Sequence, residues 1–344
     1  MKRRPSNAGS VGRAVRRLAQ RPTFAPLVAL VVLLLFNLLF TPNFARIEIR
    51  DGRVFGSLVD VFQNGTPVIL MAVGMTLIIA SAGIDLSVGS VMALAGTVAA
   101  LLITEHEQAV PVAVFAALAV AALAGAWNGA LVTYVGLQPI VATLVLLVAG
   151  RGIAQALTGD QKVRFENPAF EFIGNGTVWG VPVPVFVAAV VVVLVLLALR
   201  KTVLGMYVEA VGGNLRAARL CGLRVNAVRI VVYAFSGLCA GLAGLTVTAD
   251  IKEADVANCG LYLELDAILA VVIGGTRLTG GRPVLVGSLL GALIMQTLTI
   301  MLQMRGVVTE HTLIIKALVA LAVCALQARG FAALVRRRHP EVAA

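Results

Sequence analysis

Apolar residues in this chain gather into repeated runs of membrane-spanning length, spread evenly from end to end. That pattern excludes a soluble globular protein. Ten segments qualify as spanning or partly spanning, near 24–40, 58–80, 88–104, 110–134, 139–157, 183–199, 229–249, 261–275, 284–303 and 312–327. The predicted fold is an all-α integral membrane protein of about ten transmembrane helices, one of them broken. Pro139, Pro182 and Pro283 stand where helices should begin, as proline at a first helical position does.

The second segment is irregular. Thr66-Pro67 reads as an N-cap followed by a first helical proline. From Pro67 to Ala80 a helix reaches only about 21 Å, against a hydrocarbon core of about 30 Å. Either 54–62 supplies a separate half-helix or the element is re-entrant; a plain proline kink is the bland alternative. A broken helix survives in a membrane only when buried in protein or lining a wet cavity, which favours a translocation path nearby.

Polar segments between the runs set the orientation. Loop 200–228 carries Arg200, Lys201, Arg216, Arg219 and Arg224 against one acid, Glu209, and is placed inside. Arg277 and Arg282 also fall inside; Glu105 to Glu107 and the charge-balanced loop 158–181 fall outside. With ten spans both termini are cytoplasmic. The chain divides into a basic N-terminal segment (1–22), a transmembrane domain (23–328) and a basic tail (329–344). Segment 24–40 follows basic residues as in a signal peptide, but no convincing cleavage site follows it, so it reads as a retained first span.

Composition agrees. Hydrophobic residues make up 59% of the 344 and charged ones 13%, about half the share of a soluble domain. A net charge of +11 suggests nucleic acid, but the basic clusters flank apolar runs, and aromatics are only 6%. Nucleic-acid binding is therefore excluded, leaving the membrane lipid as the bulk partner. Cys221, Cys239, Cys259 and Cys324 have no ligand spacing and read as small apolar filler.

Candidate chemistry is sparse. Asp85, in SAGIDLSVGS (81–90), reads best as part of a capped helix–helix turn, with Asp85 or Ser87 as the cap of a helix from Val88. A proton-relay role is the rival. Arg151, Glu264, Asp266 and Lys316 lie within or near spans and must pair or face water; Asp266 has either Arg151 or Lys316 as partner. Asn128, Gln155 and Gln296 are candidates for a polar path, or for interhelical hydrogen bonds. Gly125-xxx-Gly129, Gly237-xxx-Gly241 and Gly287-xxx-Gly291 are close-packing signals. No phosphate loop, metal cluster or catalytic motif occurs, so the chain reads as no enzyme, with no catalytic or metal residue and no cofactor of its own. Energy for active transport would come from elsewhere.

Loop 200–228 is the most informative stretch. Met206 to Val211 is mildly apolar, Gly212-Gly213-Asn214 is a break with a capping residue, and Leu215 to Leu220 can form a short helix. Leu215, Leu220 and Leu223 are expected to face a soluble partner, with Arg216, Arg219 and Arg224 pairing with its acids. The alternative is a basic loop that only sets topology.

Four passages carry a resemblance: GMTLIIASAGIDLSVGSVMALAG (74–96), QPIVATLVLLVAGRGIAQ (138–155), KTVLGMYVEAVGGNLRAARLCGL (201–223) and LELDAILAVVIGGTRLTGGR (263–282). The chain resembles permeases of the ABC sugar importers related to the ribose, xylose and galactose systems. DGRVFGSLVDV (51–61), AGAWNGALV (124–132) and the run at 248–275 make it most similar to the galactofuranose type. The resemblance implies ten helices per subunit and a cytoplasmic ABC ATPase that binds ATP and Mg. It also implies a periplasmic sugar-binding protein and a second, different permease chain in the bacterial inner membrane. It places the ATPase-coupling element on Glu209, Ala210, Gly212, Asn214, Ala217, Ala218, Gly222 and Leu223, with Gly213 and Cys221 departing from the pattern. The rival readings are a homodimeric permease for ribose or another pentose, an ion-coupled secondary transporter and a passive scaffold.

Overall fold

The computed structural model describes residues 23–41, 44, 48–50 and 53–327; the basic segment 1–22 and the tail 329–344 lie outside the described residues. A helix occupies each of the ten predicted segments: α1 (Phe24–Phe40), the pair α2 (Ser57–Gln63) and α3 (Thr66–Ala80), α4 (Val88–Thr104), α5 (Val110–Ala130), α6 (Pro139–Thr158), α8 (Val183–Lys201), α11 (Val225–Ile251), α12 (Leu263–Ile273), α13 (Leu285–Met304) and α14 (Thr309–Gln327). Between them lie α7 (Pro168–Asn175), on the side that the charge pattern predicts to be outer, and α9 (Val203–Gly213) and α10 (Leu215–Leu220), on the predicted inner side. Among the described residues, five helices are long and apolar enough to cross a membrane: α5 with its π-helical extension Leu131–Val135, α6, α8, α11 and α13. The pair α2–α3, bent by 42°, makes a sixth if counted as one span.

The broken second segment is thus a short half-helix followed by a longer one. The cap reading needs correcting: Thr66 is the first helical residue, Gly65 precedes it, and the Thr66 hydroxyl donates back to Phe62 O at 3.0 Å. Pro139 does open its helix, but Pro182 is the residue before α8, and Pro283 stands two positions ahead of α13.

Every residue of α3 is buried. Its sequence allows this because it carries no charge and its one mid-helix polar group is satisfied. Thr76 Oγ1 reaches Ala72 O at 2.6 Å and Ser288 Oγ at 2.8 Å. Helices α8, α11, α12 and α13 surround it, with α9 against its end. Helices α5 and α6 lie beyond α4 and α11, and α1 and α14 pack outside α13.

The small-residue faces work as close contacts. A side chain on Gly125 would strike Tyr233 O, and one on Gly237 would strike Ala121 O, so α5 and α11 touch backbone to backbone. Gly291 does the same against Ala270 of α12. Cys239 and Cys259 are buried, and Cys221 is exposed.

Three short two-stranded antiparallel sheets were not foreseen: β1 (Glu48–Arg50) with β2 (Arg53–Phe55), β3 (Val163–Arg164) with β6 (Glu253–Ala254), and β4 (Thr177–Val178) with β5 (Val181–Pro182). The β3–β6 pair ties loop 158–181 to the segment after α11.

Candidate functional site

The 200–228 segment folds into two short helices joined at Asn214. Thr202 starts α9, its hydroxyl accepting the Leu204 N–H at 3.2 Å. Asn214 both ends α9 and begins α10; its Oδ1 accepts the N–H groups of Arg216 at 3.1 Å and Ala217 at 3.0 Å. The left-handed Gly222 (φ +80°) closes α10, with the Gly222 N–H on Arg219 O and the Leu223 N–H on Ala218 O. Val211, Ala218 and Val225 form a small core of their own, flanked by Leu215, Leu223 and Val228.

That core revises one expectation. Leu215 and Leu223 turn inward rather than toward a partner, leaving Leu220, 89% exposed, as the outward apolar residue of α10. Arg216, Arg219 and Arg224 are exposed around it, as are Glu209, Ala210, Asn214, Ala217 and Gly222.

Gly212 anchors the element to the body. A Cβ there would lie 1.7 Å from Ala80 O and 2.7 Å from Gly281 N. Those two atoms are themselves hydrogen bonded, Gly281 N–H donating to Ala80 O at 2.9 Å. Gly280 (φ +89°) stacks on the same junction, next to Gly212 O and Ala82. Three backbones therefore meet without side chains between them: the end of α9, the inner end of the fully buried α3, and the turn before α13. Backbone packed on backbone moves as one body.

The α3–α4 turn just beyond this junction is pinned by buried polar groups. Asp85 is 1% exposed; its Oδ1 accepts from Ser87 N–H at 2.9 Å and from Ser87 Oγ–H at 2.6 Å. Asn128 of α5 donates to Ser87 Oγ at 2.8 Å, and Ser236 of α11 reaches Asp85 Oδ2 at 3.5 Å. Tyr233 donates to Ile84 O at 3.2 Å. Asp85 thus holds the turn together; neither it nor Ser87 caps the first turn of α4 through its side chain.

Three of the in-span charges have structural partners. Lys316 Nζ lies 2.6 Å from Asp266 Oδ2, which resolves the choice left open by the sequence. Arg151 instead donates to three backbone carbonyls of the outer segment, Val256 at 2.6 Å, Ala257 at 3.1 Å and Cys259 at 3.2 Å. Replacing Arg151 by Met should free that segment. Amide exchange over 255–260 is expected to quicken by about tenfold or more, because charge-assisted bonds contribute roughly 1.5–3 kcal/mol; unchanged exchange there would refute the bracing role. Glu264 is half-buried in the first turn of α12, its carboxylate against Gly89.

Asn128, Gln155 and Gln296 do not converge. Asn128 belongs to the inner turn, Gln155 lies near the outer end of α6, and Gln296 packs beside Gly65. No hydrogen bond among the described residues joins any two of them. Sequence reasoning also missed the outer ion pairs: Lys162 with Glu253 (3.0 Å) and Asp255 (2.7 Å), Arg164 with Glu253 (3.2 Å), and Lys252 with Glu171 (2.6 Å). Hydrogen bonds from Lys162 and Arg164 hold the Glu253 carboxyl below its ordinary range. The available signal was that the charges of 158–181 match those of 250–255.

The family model described as "Branched-chain amino acid transport system / permease component" matches residues 57–324. The chain is 46% identical to the galactofuranose transporter permease protein YtfT of Escherichia coli over 93% of its length and 94% of the relative's. It is 41% identical to the ribose import permease protein RbsC of Escherichia coli, covering 86% and 90% of the two chains. It is 39% identical to the fructose import permease protein FruF of Bifidobacterium longum, covering 91% and 90%.

Proposed function

The chain belongs to this permease family, as a sugar-importer permease of the ATP-binding-cassette type, and from that premise we propose that it carries a galactofuranose- or galactose-like monosaccharide from periplasm to cytoplasm. It is a multi-pass protein of the bacterial inner membrane and not itself an enzyme. Such permeases bind no cofactor of their own; ATP and Mg belong to the partner ATPase.

The observation that carries the mechanism is the Gly212 junction. A soluble ATPase that grips the exposed face of α10, through Arg216, Arg219 and Leu220, pulls on α9, and α9 has no slack against the inner end of α3. Closure of the ATPase dimer then moves α3 and the turn before α13 as rigid bodies, and access alternates. The roles of Glu209, Ala210, Gly212, Asn214, Ala217, Ala218, Gly222 and Leu223 in that coupling are part of this proposal. Glu209, Ala210, Asn214, Ala217 and Gly222 present the exposed surface, whereas the buried Gly212 and Ala218 and the half-buried Leu223 shape it from beneath.

A sugar-loaded binding protein docks outside, on loops 41–57, 158–181 and 250–260, where β3–β6 and the ion pairs hold the latter two together. Selectivity resides mainly in that protein, since a path that binds tightly would not release. Because Asn128, Gln155 and Gln296 lie on separate parts of one subunit, we place the pathway at the seam with a second permease. The extent of similarity to the galactofuranose relative supports a heterodimer.

The test is purification of the tagged chain from native membranes in mild detergent, with mass spectrometry of what accompanies it. An ABC ATPase and a second, different permease are expected. An ATPase with this permease alone would shift the reading to a ribose-like homodimer, and no ATPase in several detergents would overturn it.

A further inference from the structure

The chain has two tryptophans, Trp127 and Trp179, and neither is used by the core: they are 61% and 92% exposed. Trp179 stands at the tip of a two-residue hairpin in which Val178 pairs with Val181. Both tip residues have positive φ, +52° at Trp179 and +79° at Gly180. That is the geometry of a type I′ turn, whose first position suits Asn, Asp or Gly and opposes a bulky L-residue. A side chain that strains its backbone and touches almost nothing in its own chain has its use outside the chain.

The surroundings identify the occupant. The hairpin runs directly into α8, which begins at Val183. Helix α8 is 19 residues long, and its most apolar 18-residue window has a mean hydropathy of 2.8 with only 17% buried, which leaves an apolar face uncovered by the rest of this chain. At about 28 Å it matches the hydrocarbon core. Its far end carries Arg200 and Lys201. The tip of the hairpin, four residues before the span, therefore sits at headgroup level of the opposite leaflet. Phe172 (50% exposed) and Val181 (44%) continue the apolar surface beside it in sequence. At the opposite end of another span, Tyr134 (71% exposed) lies in the π-helical extension of α5, with Trp127 about two turns before it. Exposed aromatics at both ends of the spans are the pattern of membrane-interface belts.

We propose that Trp179 is an outer-leaflet anchor, its indole seated in the phospholipid headgroup region, which with Arg200 and Lys201 fixes the depth of α8. Because α8 passes through the single residue Thr202 into α9, this sets the height at which the inner element is held. The inference rests on the membrane placement of α8 and not on which sugar is carried; it puts the tip of loop 158–181 in the headgroups and leaves the rest of that loop to the binding protein.

The test uses the full chain with Trp127→Phe, in which Trp179 is the only tryptophan, reconstituted in phosphatidylcholine vesicles that carry a nitroxide on the headgroup or at the middle of an acyl chain. Fluorescence quenching about twofold or more greater with the headgroup label than with the mid-chain label is expected. The difference between the native chain and Trp179→Phe gives the same quantity without relying on the first variant. Quenching by aqueous acrylamide with none from either lipid label would overturn the proposal. So would lipid quenching that disappears when a saturating sugar-binding protein is added, which would assign the tip to that protein.

Discussion

Replacing Gly212 by alanine is expected to cut transport by about tenfold or more while leaving the protein inserted and bound to its ATPase. The new methyl would fall within the radius of Ala80 O and press on Gly281 N, both backbone atoms that no rotamer change can move aside. Either the Gly281–Ala80 hydrogen bond breaks or α9 lifts away from α3. Overpacking of this kind costs about 1–3 kcal/mol, and a backbone overlap lies at the upper end. If that cost falls on the coupled movement, transport drops by tenfold or more, since about 1.4 kcal/mol is a factor of ten in rate. The adjacent Gly213 is the internal control. It is exposed, a Cβ on it meets nothing within 4 Å, and alanine favours the last helical position of α9 by about 1 kcal/mol. Gly213→Ala should transport normally. The measurements are membrane abundance, co-purified ATPase, and sugar-stimulated ATP hydrolysis and uptake in proteoliposomes. A Gly212→Ala protein that stimulates hydrolysis and transports like the native chain would break the link between the 209–223 element and α3. A Gly213→Ala protein that fails equally would show that the segment is sensitive for some reason other than this junction.

The helices were legible because a bilayer demands long apolar runs, and such runs survive in the sequence without any knowledge of what packs on them. The break before Pro67 was legible for the same reason: the remaining helix was too short. The inner pair of helices was also readable, since Asn214 after two glycines is a local signal. What the sequence withheld were contacts between distant segments. Leu215 and Leu223 have the spacing of an exposed face, and only the meeting with Val225 and Val228 of α11 turns them inward. Nothing near Asp85 says that Asn128 and Ser236 will close over it. Gly212 and Gly213 look alike in one dimension, yet one is fully packed and the other open. Strands β3 and β6 are two residues long, too short for a period-two signal, and arise from pairing across about ninety residues.

Removing the charge of Lys316 alone should be more damaging than removing both charges of its pair. Lys316 and Asp266 have side chains only 10% and 11% exposed, with Nζ and Oδ2 2.6 Å apart. Lys316→Met strands a carboxylate among apolar neighbours, and breaking one partner of a buried pair costs about 3–5 kcal/mol. Asp266→Leu leaves the ammonium in the same position and should cost a similar amount. The double variant Asp266→Leu with Lys316→Met removes both penalties, and apolar pairs of similar volume are commonly neutral or better. It should regain most of the lost stability and, with it, transport. Thermal aggregation midpoints in detergent and sugar uptake in proteoliposomes, measured over the full double-variant cycle, give the coupling between the two sites. A large positive coupling with recovered uptake marks the pair as a fastener between α14 and α12. If the double variant is stable yet transports nothing, Asp266 acts in the transport cycle itself. Uptake that follows an ion gradient rather than ATP would then return the ion-coupled carrier to consideration. The fastener reading rests on geometry: Asp266 lies in the first turn of a helix only eleven residues long, where its one cationic contact comes from a neighbouring helix. An 11-residue helix cannot span the bilayer alone, so what holds it in register must come from its neighbours, and this ion pair is the strongest directional contact among the described residues that supplies it.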